Sequence, residues 1–272
     1  MPRFAAPDGQ PLTSIRSIND LPEIDHERIY GTLIPSDLLE RYHISPIEFH
    51  SPTGDRLVEI DAPPGTGSIE IKVWHQAGAR DPVLYFQLAD TPNNQLIVLL
   101  FVINDPEGPR FDIDRNWRGE RTKFGTMNRN IEAEIEAMQA GLGPGQIRRG
   151  LHLSRKVQAT FENFVAGLGH ELFFFEPLAY HTAILFERYG CNYSVGKKKM
   201  EWIDHEFQAP DGELFKRLDS STPFRMSGAE KTVRGRSWAI HDGILGEPFT
   251  AIHMYRRIGI DSGINTFPSA EW

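Results

Sequence analysis

Residues 146–190, QIRRGLHLSRKVQATFENFVAGLGHELFFFEPLAYHTAILFERYG, decide the fold. The stretch opens on a basic turn, Gln146-Ile147-Arg148-Arg149-Gly150-Leu151-His152. Leu153, Val157, Phe161, Phe164, Val165 and Leu168 then recur at the three-and-four spacing of one buried helical face. Gly167 and Gly169 end that helix, residues 172–175 are a short apolar strand, and Pro177 breaks it. A second helical run follows over residues 179–189 and closes at Gly190. Turn, helix, strand and helix in this order need a sheet to pack on, and the preceding chain has to supply it.

It does so in alternating strand patterns. Leu57-Val58-Glu59-Ile60 precedes the turn Pro63-Pro64-Gly65-Thr66-Gly67, after which Ile69, Ile71 and Val73 alternate with Glu70 and Lys72. Residues 83–88 and 96–103 are two further strands joined by Asp90-Thr91-Pro92-Asn93-Asn94. The second is apolar throughout and is expected to be buried on both faces. After the turn at residues 104–108, residues 110–113 are expected to pair back as another strand. Pro35-Ser36-Asp37 opens a short helix over Leu38, Leu39 and Tyr42.

The turn at Gly150 has a definite physical chemistry. Main-chain N–H groups at a helix start lack intrahelical partners, and the helix dipole adds positive charge there. A glycine lets a phosphate approach the backbone, and Arg148 and Arg149 add charge-assisted donors, so the arrangement suits a diphosphate. The plainer alternative is a surface loop leading into a core helix.

The order of elements resembles the core of the GNAT N-acyltransferase superfamily, whose pyrophosphate turn reads (Q/R)-x-x-G-x-(G/A) at the start of its longest helix. Here that turn is Ile147 to His152, with the first and last motif positions altered. The run AILFERYGC, 183–191, is similar to the family's A-x-x-L-Y-E-K-x-G-F helix ending, with Phe186 where many members carry the tyrosine that protonates the departing thiolate. The resemblance implies a mixed, mostly antiparallel α/β sheet flanked by helices, and acyl transfer from acetyl-CoA or another acyl-CoA to a small-molecule amine. It implies cofactor contacts at Arg148, Arg149, Gly150, Leu151 and His152. A carboxylate or histidine would take the amine proton; Glu176 and His181 stand where such a base could act. Tyr180 and Tyr189 are candidates to replace the missing tyrosine.

Residues 1–27 are polar and proline-containing and are expected to form an arm, leaving 28–272 as a single enlarged domain. In the family the central strand runs almost directly into the turn; here residues 116–145 intervene as an insert. Ile131, Ile135 and Met138 give that insert an amphipathic helix, a lid or a covering element, ended by the run 141–145. Met200, Ile203 and Phe207 suggest a helix after Lys197-Lys198-Lys199, and residues 208–272 form a C-terminal extension. Its first part, 208–235, reads as loops, and residues 249–258 read as its strand, with His253, Arg257 and Tyr255 on one face.

Bulk properties narrow the function classes. A net charge of −8 over 272 residues argues against nonspecific nucleic-acid binding, though not against an anionic ligand at a locally basic site. Cys191 is the only cysteine, which excludes an intramolecular disulfide and fits a cytoplasmic setting. No apolar run reaches membrane-spanning length, and the first residues lack the apolar core of a signal peptide, so no membrane partner is expected. Edge strands of such a sheet offer a homodimer surface. The best metal-ligand set is His241, Asp242, Glu247 and His253, but adjacent His241 and Asp242 point to opposite faces of a strand, and His170-Glu171 and His205-Glu206 share that defect. No metal is expected, and a metal-dependent enzyme built on these histidines ranks below a ligand- or partner-binding relative that has lost catalysis. No G-x-S-x-G elbow occurs, and Cys191 reads as a packed thiol.

Overall fold

The computed structural model describes residues 3–116, 118–122 and 129–272. Along the chain come α1 (Ile15–Asn19), α2 (Glu23–Gly31), α3 (Ser36–Arg41), β1 (Val58–Asp61), β2 (Ser68–Val73), β3 (Leu84–Asp90) and β4 (Leu96–Ile103). They are followed by α4 (Ile131–Gln139), α5 (Ser154–Gly167), β5 (Leu172–Phe175), α6 (Tyr180–Arg188), β6 (Asn192–Val195), α7 (Lys197–Gln208), α8 (Glu213–Lys216), α9 (Val233–His241) and β7 (His253–Arg257). The chain divides into two compact units. The first comprises Met1–Glu107, Gly150–Phe175 and Arg256–Gly259, and the second Gly108–Arg149, Glu176–Tyr255 and Ile260–Trp272.

In the first unit the strands lie in the order β1-β2-β3-β4-β5. Pairing is antiparallel from β1 to β4 and parallel between β4 and β5. The register puts Ile69 beside Leu88, Ile71 beside Phe86 and Val73 beside Leu84, so the period-two apolar residues share one buried face. On the other face Tyr85 donates to Glu70 at 2.8 Å, and Lys72 pairs with Glu70 and with Glu59. Helix α5 covers the apolar face with Val157, Phe161, Phe164 and Val165. Its Phe161 ring meets Phe173 edge-on at 4.6 Å and lies 5.3 Å from Phe86. The βαβ order β4-α5-β5 is why β4 and β5 run parallel.

The first residues depart from the expected arm. Residues 3–27 include α1 and the start of α2, and Leu12, Ile15 and Ile18 are buried. Ser14 and Ser17 close a capping box on α1, and the Asp90 carboxylate accepts from the N–H groups of Ile15 at 2.8 Å and Arg16 at 2.9 Å. That cap comes from a residue distant in sequence, which composition does not reveal. Met1 and Pro2 lie outside the described residues, as do Trp117 and 123–128 of the expected insert.

Two strand expectations are corrected. Strand β4 is not buried on both faces: Leu99 is 44% exposed and Leu100 37%. Residues 110–113 form no strand; Arg110 instead turns onto Asp112 and onto Asp114 at 2.8 Å, and the Phe111 N–H donates to the Ile147 carbonyl. Local charge pairing there prevails over a weak strand pattern.

The second unit packs α4, α6, α7, α8 and α9 with β6 and the part of β7 that pairs antiparallel with it, residues 253–255. Buried Ala137, Leu142, Phe224 and Trp238 form a core, with Phe224 and Trp238 stacked at 5.2 Å and the Trp238 indole N–H donating to the Leu142 carbonyl at 2.8 Å. Helix α9 lies partly in the region expected to be loops. Its sequence, VRGRSWAIH, carries a glycine and two arginines that hide the helical pattern, although Thr232 caps it and Trp238, Ala239 and Ile240 are buried. Buried Arg236 is held by Asp204 at 2.7 Å and lies over the Phe267 ring at 3.4 Å. Among the described residues, no helix is long and apolar enough to cross a membrane.

Candidate functional site

In the first unit the features of interest lie around the end of β4. Pairing with β5 covers residues 96–98 only, because β5 stops at Phe175 and Pro177 follows. Residues 99–103 of β4 have no neighbouring strand on that side among the described residues. Opposite β3, Gln87 pairs with Leu100 and Leu88 with Val98, so Leu99 is the extra residue of a β-bulge. A bulge re-aims main-chain groups and ends regular pairing. The result is a stretch of β4 without regular strand pairing on that side, with Leu99 and Leu100 exposed.

Gly150 brings the start of α5 to that edge. A Cβ at Gly150 would stand 3.4 Å from the Ile103 carbonyl oxygen, at the last residue of β4. His152, at the final motif position, adopts φ 57°, a left-handed conformation that glycine takes without strain. Leu151 is buried and His152 exposed. The N-cap of α5 is Leu153, which contributes no side-chain bond, and the first turn holds no acidic residue. The first N–H groups of a fourteen-residue helix are thus left for solvent or an anion.

Arg148 and Arg149 belong to the second unit. Arg148 donates to the Gly108 carbonyl at 2.5 Å and Arg149 to the Ala140 carbonyl at 2.7 Å. Both therefore have main-chain partners.

Glu176 and His253 meet in the second unit, with Oε1 2.8 Å from Nδ1. Both side chains are partly in solvent, 54% and 42% exposed, so the pair is open to a reactant. A carboxylate that orients an imidazole, or an imidazole that shares a proton with a carboxylate, can accept a proton from an attacking group. The sequence marks Glu176 as a base and His253 as a metal candidate; nothing local in it pairs them.

His181 has a different setting. It is buried on α6, its Nδ1 lies 2.8 Å from Ser237 Oγ, and its own N–H donates to that oxygen at 3.2 Å. A Cβ at Gly143 would come within 2.7 Å of the ring, so Gly143 is the lid over the imidazole. Burial first, then Arg234 and His241, push its pKa down to about 4, so it is neutral at physiological pH. Tyr180 is fully buried 3.5 Å from Arg236, and burial raises its hydroxyl well above the usual range. Tyr189 is half-buried at the end of α6. Glu187, in the helix-ending motif, is a buried hub: its carboxylate accepts from the Tyr193 hydroxyl and from Thr266 N–H at 2.8 Å and Oγ1 at 2.6 Å. Cys191 is buried.

The four metal candidates are engaged separately. His241 Nε2 lies 3.3 Å from Glu134, and Asp242 is held by Arg129 at 3.1 Å and Arg225 at 2.9 Å. Glu247 pairs with Lys199 at 2.7 Å, and His253 with Glu176. No group of three or more potential ligands gathers among the described residues. The pairings of Arg129 with Asp242, of Glu134 with His241 and of Ser237 with His181 escape sequence reasoning because the partners lie far along the chain and no motif spacing marks them.

No family model, curated protein or solved structure matches this chain.

Proposed function

We propose that this protein transfers an acyl group from a CoA thioester to an amine. The observation that carries this reading is the edge of β4 beyond Val98, which has no neighbouring strand among the described residues, with its bulge at Leu99. An extended ligand bearing amides, such as the pantetheine arm of CoA, can add to such an edge as a strand does. The uncapped start of α5 beside Ile103 supplies N–H groups for a diphosphate. A main-chain donor re-aimed at the bulge suits the oxyanion that forms when an amine attacks a thioester carbonyl.

A base has to take the proton of the attacking amine, and within the second unit the partly exposed Glu176–His253 pair is the group with that chemistry. His181 is left out of that role, since its imidazole is covered by Gly143 and bonded to Ser237. Tyr180 is likewise enclosed, so the proton for the leaving thiolate falls to Tyr189 or to water. A second reading has Phe186 behind it: with no hydroxyl in that motif position, the chain binds CoA without turning it over.

The test is a thermal melt with millimolar CoA or acetyl-CoA, followed by thiol release over an amine panel. Ligand at a hundredfold over its dissociation constant stabilises by about 2.7 kcal/mol, which raises the midpoint by roughly 5–10 °C. Release of thiol with an amine supports transfer; a shift without release supports the second reading. An unmoved midpoint overturns both.

A further inference from the structure

We propose that Arg149 and Arg234 form a binding site for a phosphate dianion over the Ala140–Gly141 peptide. Arg149 Nη2 donates to the Ala140 carbonyl at 2.7 Å, which holds its guanidinium at the end of α4. Arg234, on α9, brings Nη1 to 3.9 Å from where a Cβ on Gly141 would stand. The two side chains come from opposite directions in the sequence onto one peptide unit, and the glycine at 141 puts no side chain beside Arg234.

Their charges are unmatched. Elsewhere in the same unit four arginines face carboxylates: Arg129 has Glu134 and Asp242, Arg225 has Asp242, Arg236 has Asp204, and Arg217 has Glu213. Arg234 has no hydrogen bond or ion pair among the described residues, and the bond of Arg149 is to a neutral carbonyl. This occurs in a chain of net charge −8, where acidic partners outnumber basic ones. Burial, and then the neighbouring Arg149, lower the pKa of Arg234, which is the signature of two like charges held together in a partly dry place. The C-terminal dipole of α4 accounts for one cation at its last carbonyls, but the second makes no bond there. Two guanidinium groups brought to one peptide unit suit a tetrahedral dianion, which can take N–H groups from both.

The site does not depend on the acyl-transfer reading. Free phosphate and a phosphomonoester on a larger ligand, such as the 3′-phosphate of CoA, present the same chemistry. The experiment is calorimetric titration of inorganic phosphate, CoA and 3′-dephospho-CoA into wild type, R149Q and R234Q at matched ionic strength. Loss of either arginine is expected to weaken phosphate binding roughly ten- to a hundredfold. If CoA binds more tightly than 3′-dephospho-CoA and R234Q abolishes the difference, the dianion belongs to CoA. If phosphate binds through both arginines and CoA is ignored, the site stands and the acyl-transfer reading falls. Affinities for all three probes that R149Q and R234Q leave unchanged overturn the site, even where CoA itself binds. Arg149 is exposed, so R149Q keeps the test decisive if R234Q does not fold.

Discussion

Glu176 Oε1 lies 2.8 Å from His253 Nδ1, joining the residue that follows β5 to the first residue of β7. Because both side chains are about half in solvent, the contact contributes little to stability, on the order of 0–1 kcal/mol. Its worth on the proposed reading is in proton transfer. Glu176→Gln and His253→Asn are therefore expected to lower kcat/KM for amine acylation by roughly 10²- to 10⁴-fold while leaving Tm within a few degrees. Steady-state kinetics beside a thermal melt decides it. Variants with wild-type rates would remove the pair from the mechanism.

His181 provides a pH test with a definite sign. Its pKa in the fold is about 4, against 6.5 for an unperturbed histidine, chiefly through burial. Between those values the unfolded chain carries a proton at this imidazole and the folded chain does not. The unfolded state binds more protons, so stability rises with pH across the window. The contribution of His181 is thus complete above pH 6.5 and is lost as pH falls to about 4, amounting to about 3 kcal/mol. His181→Asn, which can still reach Ser237, is expected to flatten that part of the stability–pH curve. Parallel curves for wild type and variant between those limits would sink the assignment.

The elements whose evidence is local were legible in the sequence. The three-and-four spacing from Val157 to Val165 gives α5, the alternation at Ile69, Ile71 and Val73 gives β2, and the apolar run 96–103 gives β4 with its bounds. What failed was whatever depends on distant partners. Asp90 makes a helix cap out of α1, turning an expected arm into core. Helix α9 is stabilised by Asp204 and Phe267 around Arg236, so its charged, glycine-containing sequence conceals it. The β4 run looked doubly buried because apolar content does not say whether both faces of the sheet are covered along the whole strand. Candidate site residues fared similarly: Glu176 was visible as a carboxylate after a strand, but its pairing with His253 was not.

Glu187 tests the motif ending of α6 as structure. Its buried carboxylate accepts from Tyr193, from the Thr266 N–H at 2.8 Å and from Thr266 Oγ1 at 2.6 Å. Glu187→Ala strands those donors without water, at a cost of about 3 kcal/mol. The expected fall in Tm is roughly 6–12 °C. Glu187→Gln keeps an acceptor oxygen and should lose less. A denaturant melt of the two variants orders them; equal stability of Ala, Gln and wild type would mean the carboxylate is not the hub its bonds indicate.

Gly150 separates the fold from its proposed ligand. Its φ is not left-handed, so a side chain is excluded only by what lies nearby, and the nearest atom to a new Cβ is the Ile103 oxygen at 3.4 Å. Gly150→Ala makes an ordinary contact there and should fold with a Tm near wild type. Gly150→Val adds two methyl groups beside the end of β4 and the first N–H groups of α5, costing about 1–3 kcal/mol through crowding. The same methyl groups occupy the approach to those donors, so CoA affinity is expected to fall at least tenfold in Val and only slightly in Ala. Calorimetric titration of CoA into both folded variants reads the difference. Equal affinity in Val and wild type would show that the start of α5 holds no phosphate, and would leave Gly150 the single task of packing the helix against Ile103.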